Sequence, residues 1–142
     1  MTYSRTLGLD VGTKTIGVAV SDILYFSAHG VTTIRRSEME KDVQAVLDLC
    51  EELEVTRIVV GYPKNMNNTI GESAIRSEEF ANILRERTGF EVILWDERLT
   101  TVEAERLLLM NDTSRKKRRQ VIDKIAAELI LQGYMDSQTR SF

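Results

Sequence analysis

Between Thr6 and Asp22 the chain reads TLGLDVGTKTIGVAVSD, two apolar strands joined at Gly12-Thr13-Lys14, where glycine allows a tight turn. This pair constrains the fold more than any other stretch, because it commits the first 22 residues to an antiparallel hairpin. Arg57-Ile-Val-Val-Gly61 is a second kind of strand, a short continuous apolar run of the type buried on both faces between covering helices. A hairpin extended by such strands implies a mixed sheet with helices packed against it.

The remaining segments fit that plan. A third strand is expected at Val31 to Arg35, followed by a helix over Glu38 to Leu53, where Val43, Val46, Leu47, Cys50 and Leu53 recur at helical spacing. Tyr62-Pro63 ends the 57–61 strand, and Lys64 to Gly71 is a polar loop. Glu72 opens a second helix, with Ile75, Phe80, Ile83 and Leu84 available for burial and Thr88-Gly89 closing it. Glu91 to Arg98 is a fifth strand ending in charge, and Thr100 or Thr101 caps a helix carrying Val102, Leu107 and Leu108. Asn111 to Lys117 reads as a basic connection. The last helix, roughly Arg118 to Met135, places Val121, Ile122, Ile125, Ala126, Leu129 and Ile130 on one apolar face, with 137–142 as a flexible tail. At 142 residues the chain is expected to be one domain, 1–142, without internal repeats.

Composition removes several classes of function. With 42% hydrophobic and 29% charged residues and no apolar run of bilayer length, no membrane span is expected. The N-terminus lacks the layout of a secretory leader, and the single Cys50 excludes an internal disulfide, so a cytoplasmic location is expected. The net charge of −3 argues against coating nucleic acid by electrostatics alone, yet Arg115, Lys116, Lys117, Arg118 and Arg119 form an uninterrupted basic run.

Asp10 is the residue that needs a reason, since it interrupts an apolar strand between Gly8 and Gly12, which leave the backbone open to a ligand. Asp96 and Glu97 close the fifth strand, where ligand groups collect in open α/β sheets, and Asp123 interrupts the apolar start of the last helix. Acids from three elements offer oxygen-only ligation, which suits Mg²⁺ or Mn²⁺; with His29 and Cys50 both solitary, zinc does not fit. Ions held in this way serve carboxylate-rich nucleases that lack a protein nucleophile. Taken singly, each acid has a plainer reading: turn former, helix cap, or, for Asp123, a partner of Lys124 or Arg119 on a solvated face. The basic run is most often a solvated helix start, but its place just before Asp123 suits phosphates flanking a scissile bond. Lys14, Lys64, Asn65 and Arg98 are further candidates for contact with nucleic acid. Trp95 reads as core.

The motifs Gly8-Leu-Asp-Val-Gly-Thr-Lys-Thr-Ile-Gly-Val-Ala-Val-Ser-Asp22, Val60-Gly-Tyr-Pro-Lys-Asn-Met66, Asp96-Glu-Arg-Leu-Thr-Thr101 and Asp123-Lys-Ile-Ala-Ala-Glu-Leu-Ile-Leu131 occur in this order. In them the chain closely resembles the YqgF/RuvX family, bacterial relatives of the RuvC Holliday junction resolvase proposed to act as pre-16S rRNA nucleases. The resemblance implies an RNase H-like fold with a central mixed five-stranded sheet, three strands antiparallel and the others parallel. It carries the acidic role onto Asp10, onto Glu97 or its neighbour Asp96, and onto Asp123. Because neighbouring strand residues face opposite sides, only one of Asp96 and Glu97 is expected to face the site, and Glu97 is favoured. The implied activity is metal-dependent phosphodiester hydrolysis, trimming the 5′ end of the 16S rRNA precursor in ribosome biogenesis. The implied partner is structured RNA, on a pre-ribosomal particle or free, and the protein is a monomer or homodimer.

Two other readings belong to different classes. Cleavage of branched DNA would call for a dimer with two sites, and a non-catalytic RNA-binding factor could retain the fold. The stretch Leu9-Asp-Val-Gly-Thr-Lys14 also looks like the phosphate hairpin of actin, Hsp70 and sugar kinases, but those folds need two such domains around the nucleotide. Tyr62 stands where the family usually has leucine, and Asn67-Asn68 where an acid and glycine are common.

Overall fold

A computed structural model describes residues 5–24, 27–63, 71–96 and 115–139, with side chains from 123 to 138 in the last segment. The hairpin forms as expected, with β1 (Arg5–Val11) antiparallel to β2 (Thr15–Ser21). β3 (Ala28–Arg35) pairs antiparallel with β2 and begins three residues before the expected Val31, because Ala28, His29 and Gly30 still find partners on β2. Helix α1 (Met39–Leu53) leads to β4 (Val55–Tyr62), which lies parallel to β1. α2 (Glu72–Thr88) then leads to β5 (Glu91–Asp96), parallel to β4. The sheet order is β3-β2-β1-β4-β5, the mixed five-stranded arrangement expected.

Strand alternation divides the sheet into two differently packed faces. On one, Leu7, Leu9, Ile16, Val18, Ile58 and Val60 meet Val43 and Val46 of α1 and Phe80 and Leu84 of α2. On the other, Ala19 and Val59 meet Ala127, Ile130, Leu131 and Tyr134 of a long last helix, α3 (Arg115–Thr139). Cys50 is buried and unpaired, as read from the sequence. Gly89, at φ 72, ends α2 in a left-handed turn whose amide bonds to the Arg85 carbonyl at 2.9 Å, which is why the helix stops where the sequence placed its end.

Four expectations are corrected. Ile75 is 48% exposed, and α2 instead buries Ala74, Ser77, Phe80, Ala81 and Leu84, one helical stripe further round. α3 starts at Arg115, so the expected 111–117 connection gives way to helix from there on. The helix continues to Thr139, past the expected end at Met135, with the Gln132 amide bonding to Asp136 and the Ser137 hydroxyl to the Tyr134 carbonyl. Its buried face is Ala126, Ala127, Ile130, Leu131, Tyr134 and Met135, while Ile125 and Leu129 are only half-buried. That face is turned toward Ala127 and Leu131 because glycines in the strands beneath admit it there. Trp95 packs edge-on against Tyr134, centroids 5.9 Å apart, so it serves this core as expected. The helix expected after Thr100 lies outside the described residues. Among the described residues no helix is long and apolar enough to cross a membrane.

Candidate active site

Asp10 lies near the C-terminal end of β1. Its neighbours Leu9 and Val11 belong to the α1/α2 side, so alternation turns Asp10 toward α3. Directly opposite it in register on β2 is Gly17. A Cβ built on Gly17 would stand 1.9 Å from the backbone oxygen of Asp123, and one on Gly8 would stand 2.7 Å from the Leu131 Cβ. These two glycines are therefore slots into which α3 settles with almost no side chain between helix and sheet. For Gly8 this corrects the expectation that it leaves room for a ligand, since α3 fills the space.

The consequence is chemical. Seating the α3 backbone on Gly17 brings Asp123 beside Asp10, although the two are far apart in sequence. Burial, and after it the negative charge of Asp123, raises the Asp10 carboxyl from 3.8 to about 6. The Thr15 hydroxyl, at the start of β2, donates to Asp123 Oδ2 at 2.5 Å.

The β1–β2 turn between Asp10 and Thr15 is held from outside by residues that carry no local signal in the sequence. Within the turn, the Gly12 amide donates to the Thr15 carbonyl at 2.9 Å. Arg36, just past β3, donates from Nη1 to the Gly12 carbonyl at 2.9 Å, and its own amide donates to the Lys14 carbonyl at 2.8 Å. The same guanidinium pairs through Nε with the buried Asp42 of α1 at 3.1 Å and lies over the Phe80 ring, 5.6 Å from its centre. Asp42 also accepts from the Ser37 amide at 3.0 Å. A buried pair of this kind is satisfied only by its full set of bonds, so it fixes the turn against α1. Tyr62 ends β4 buried, with its hydroxyl bonded to Glu78 of α2; burial and the Glu78 charge both raise its proton affinity.

The other expected site residues divide into groups. Lys14 is exposed in the turn, on the same end of the sheet as Asp10. Asp96 is exposed at the end of β5, paired in register with Tyr62; alternation groups it with Val92 and Leu94, on the side away from Asp10 and Asp123. The backbone of Arg115, Lys116, Lys117, Arg118 and Arg119 forms the opening turns of α3. From Arg115 to Asp123 the helix covers about 12 Å at 1.5 Å per residue, so the backbone of this basic stretch lies within that length of Asp123. Glu97, Arg98, Lys64 and Asn65 lie outside the described residues. Among the described residues no three His, Cys, Asp or Glu side chains gather into a metal-binding group; Asp10 and Asp123 are a pair.

A mixed β3-β2-β1-β4-β5 sheet with a long helix packed across one face is an RNase H-like fold, here carrying Asp10 on its first strand and Asp123 on that helix. Solved structures agree on the fold. The chain superposes on Thermus thermophilus RuvC in complex with a Holliday junction substrate with a TM-score of 0.62, at 13% identity, covering 97% of each chain. With the Fowlpox virus resolvase bound to Holliday junction DNA the TM-score is 0.55, at 10% identity, covering 94% of this chain and 98% of the other. Residues 4–137 match the family model RuvX, described as Holliday junction resolvase, and the chain belongs to that family. A relative from Shouchella clausii is 53% identical over 139 residues, covering 96% of this chain and 98% of its own. One from Halalkalibacterium halodurans is 57% identical over 136 residues, covering 94% and 97%. Both bear the provisional name of a pre-16S rRNA nuclease.

Proposed function

We propose that the protein is a divalent-metal-dependent nuclease that hydrolyses phosphodiester bonds, with the 5′ end of pre-16S rRNA as its substrate in ribosome biogenesis. The observation that carries this reading is the seating of Asp123 beside Asp10. Two carboxylates held together, one of them with a proton affinity raised to about 6, form an arrangement that a cation relieves. Hard oxygen donors on a β-strand and a helix fit Mg²⁺ or Mn²⁺. Asp10 and Asp123 would hold the ion, with Glu97 as the third ligand; the strand parity that turns Asp96 away from the pair favours Glu97.

Bound there, such an ion would polarise the phosphodiester and offset the negative charge that builds on the phosphoryl oxygens. The chain's own residues supply the rest. Asp10 and Asp123 would hold the cation at the C-terminal end of the central strand β1, and the Arg36 and Asp42 clamp keeps the adjoining β1–β2 turn from shifting. Arg115 to Arg119 approach along α3 and would grip phosphates flanking the scissile bond, with Lys14, Lys64, Asn65 and Arg98 as further contacts. Phosphate contacts of this kind position the strand without reading its sequence, so selection of the cleavage site would rest on RNA shape or on a pre-ribosomal particle.

The names of the relatives support RNA as the substrate, and the description of the family model supports a second reading, cleavage of branched DNA by a homodimer. One experiment separates them. Wild type and Asp10→Asn are compared on an end-labelled 16S precursor fragment and on a four-way DNA junction, each with Mg²⁺, Mn²⁺ or chelator. Metal-dependent cutting of the RNA that disappears in Asp10→Asn is the expected result. Preferential junction cutting would move the assignment to the resolvase, and failure of folded wild type to cut either substrate would reduce the claim to a binding role.

A further inference from the structure

Gly17 fixes where the backbone of Asp123 rests, but a ligand must also present its carboxylate in one orientation. Thr15 is placed to set that orientation. Alternation along β2 puts Thr15, Gly17 and Ala19 on the α3 side, while Ile16 and Val18 pack on the other. The backbone of Thr15 is fixed twice, by the Gly12 amide bonded to its carbonyl at 2.9 Å and by its register with Arg35 of β3. Its branched side chain has restricted rotation about χ1, so the hydroxyl is a donor aimed in advance. That donor meets Asp123 Oδ2 at 2.5 Å.

We propose that Thr15 is a positioning residue for Asp123, fixing the orientation in which that carboxylate is offered to a divalent cation. The inference rests on the metal-centre reading above. Partners that orient a ligand through a hydrogen bond typically change metal affinity by 10–100-fold when removed. If Thr15 only tethered α3 to the sheet, its loss would lower the stability of the metal-free protein and leave affinity for the ion alone.

The test is a Mn²⁺ titration followed by electron paramagnetic resonance on wild type, Thr15→Val, Thr15→Ala, Thr15→Ser and Asp10→Asn, with thermal melting of each metal-free protein. Valine keeps the branched shape and strand preference without the hydroxyl, alanine is a second hydroxyl-free variant should valine fail to fold, and serine restores the donor. Thr15→Val and Thr15→Ala are expected to weaken Mn²⁺ binding by about tenfold or more, with Thr15→Ser recovering most of the loss. Unchanged affinity in a folded hydroxyl-free variant, or a serine variant as weak as valine, would overturn the role of Thr15 while leaving the metal centre standing. Wild type without Mn²⁺ binding that Asp10→Asn abolishes would overturn the centre itself, and the role of Thr15 with it.

Discussion

The two faces of the sheet are built on opposite principles. The α1/α2 face is filled with large buried side chains, Leu9, Val60, Phe80 and Leu84 among them. The α3 face is stripped down at Gly8, Gly17, Ala19 and Ala127, so that helix backbone comes almost to strand backbone. Large side chains remove more apolar surface from water and tolerate small adjustments by changing rotamer. Backbone contact buries less but allows little adjustment. The lesson is a division of labour: one face supplies most of the cohesion, and the other places Asp123 beside Asp10.

Substitutions that separate stability from position should break or sharpen this contrast. The largest effect on stability is expected on the first face. Leu84→Ala should cost about 2–5 kcal/mol in urea unfolding, while Mn²⁺ affinity in the folded protein stays at the wild-type level. A loss of affinity with that stability change would show that the faces are not separable. Gly17→Ala comes next: its methyl group would collide with the Asp123 backbone oxygen, so about 1–3 kcal/mol of stability is expected to be lost. Unlike Leu84→Ala, it should also abolish Mn²⁺ binding in the molecules that remain folded. A Gly17→Ala protein that binds Mn²⁺ normally would break the seating argument.

The smallest effect has the opposite sign. The folded Asp10 carboxyl titrates near 6, above its ordinary 3.8, so the native state binds the proton more tightly than the unfolded chain. Its contribution to stability is complete below about pH 4 and declines as pH rises to about 6. That gap caps the effect at roughly 3 kcal/mol, and because the proton is shared with the neighbouring Asp123 carboxyl the expected gain is about 1–2 kcal/mol. Metal-free Asp10→Asn should therefore be more stable than wild type at pH 8 by about that amount, with the advantage shrinking toward pH 4. Denaturant melts at the two pH values measure it, and an Asp10→Asn protein less stable at pH 8 would contradict the crowding of the two acids.

What the sequence revealed follows the same division. The hairpin, both parallel strands and the two helices of the first face were legible because their signals are local: strand runs, helical periodicity, and Gly89 at a helix end. Asp10 and Asp123 were legible as acids out of place in apolar segments. How they meet was not, because the glycine that seats α3 looks like any strand glycine until the helix it admits is known. Thr15 and Arg36 were missed for a related reason. Thr15 acts on a residue 108 positions away, and Arg36 joins a turn, a helix and an aromatic ring that no spacing rule connects. The buried face of α3 was read almost one residue out of phase, since its apolar residues run nearly all round and only the slots beneath decide which of them face inward.

The central claim is that Gly17 seats α3 so that Asp10 and Asp123 share one divalent cation. Anomalous diffraction from crystals soaked in Mn²⁺ tests this most directly. The account predicts a manganese peak within coordination distance of a carboxylate oxygen of Asp10 and one of Asp123, absent in Asp10→Asn. A peak elsewhere on the molecule, or none between the two acids in crystals that diffract well, would contradict it.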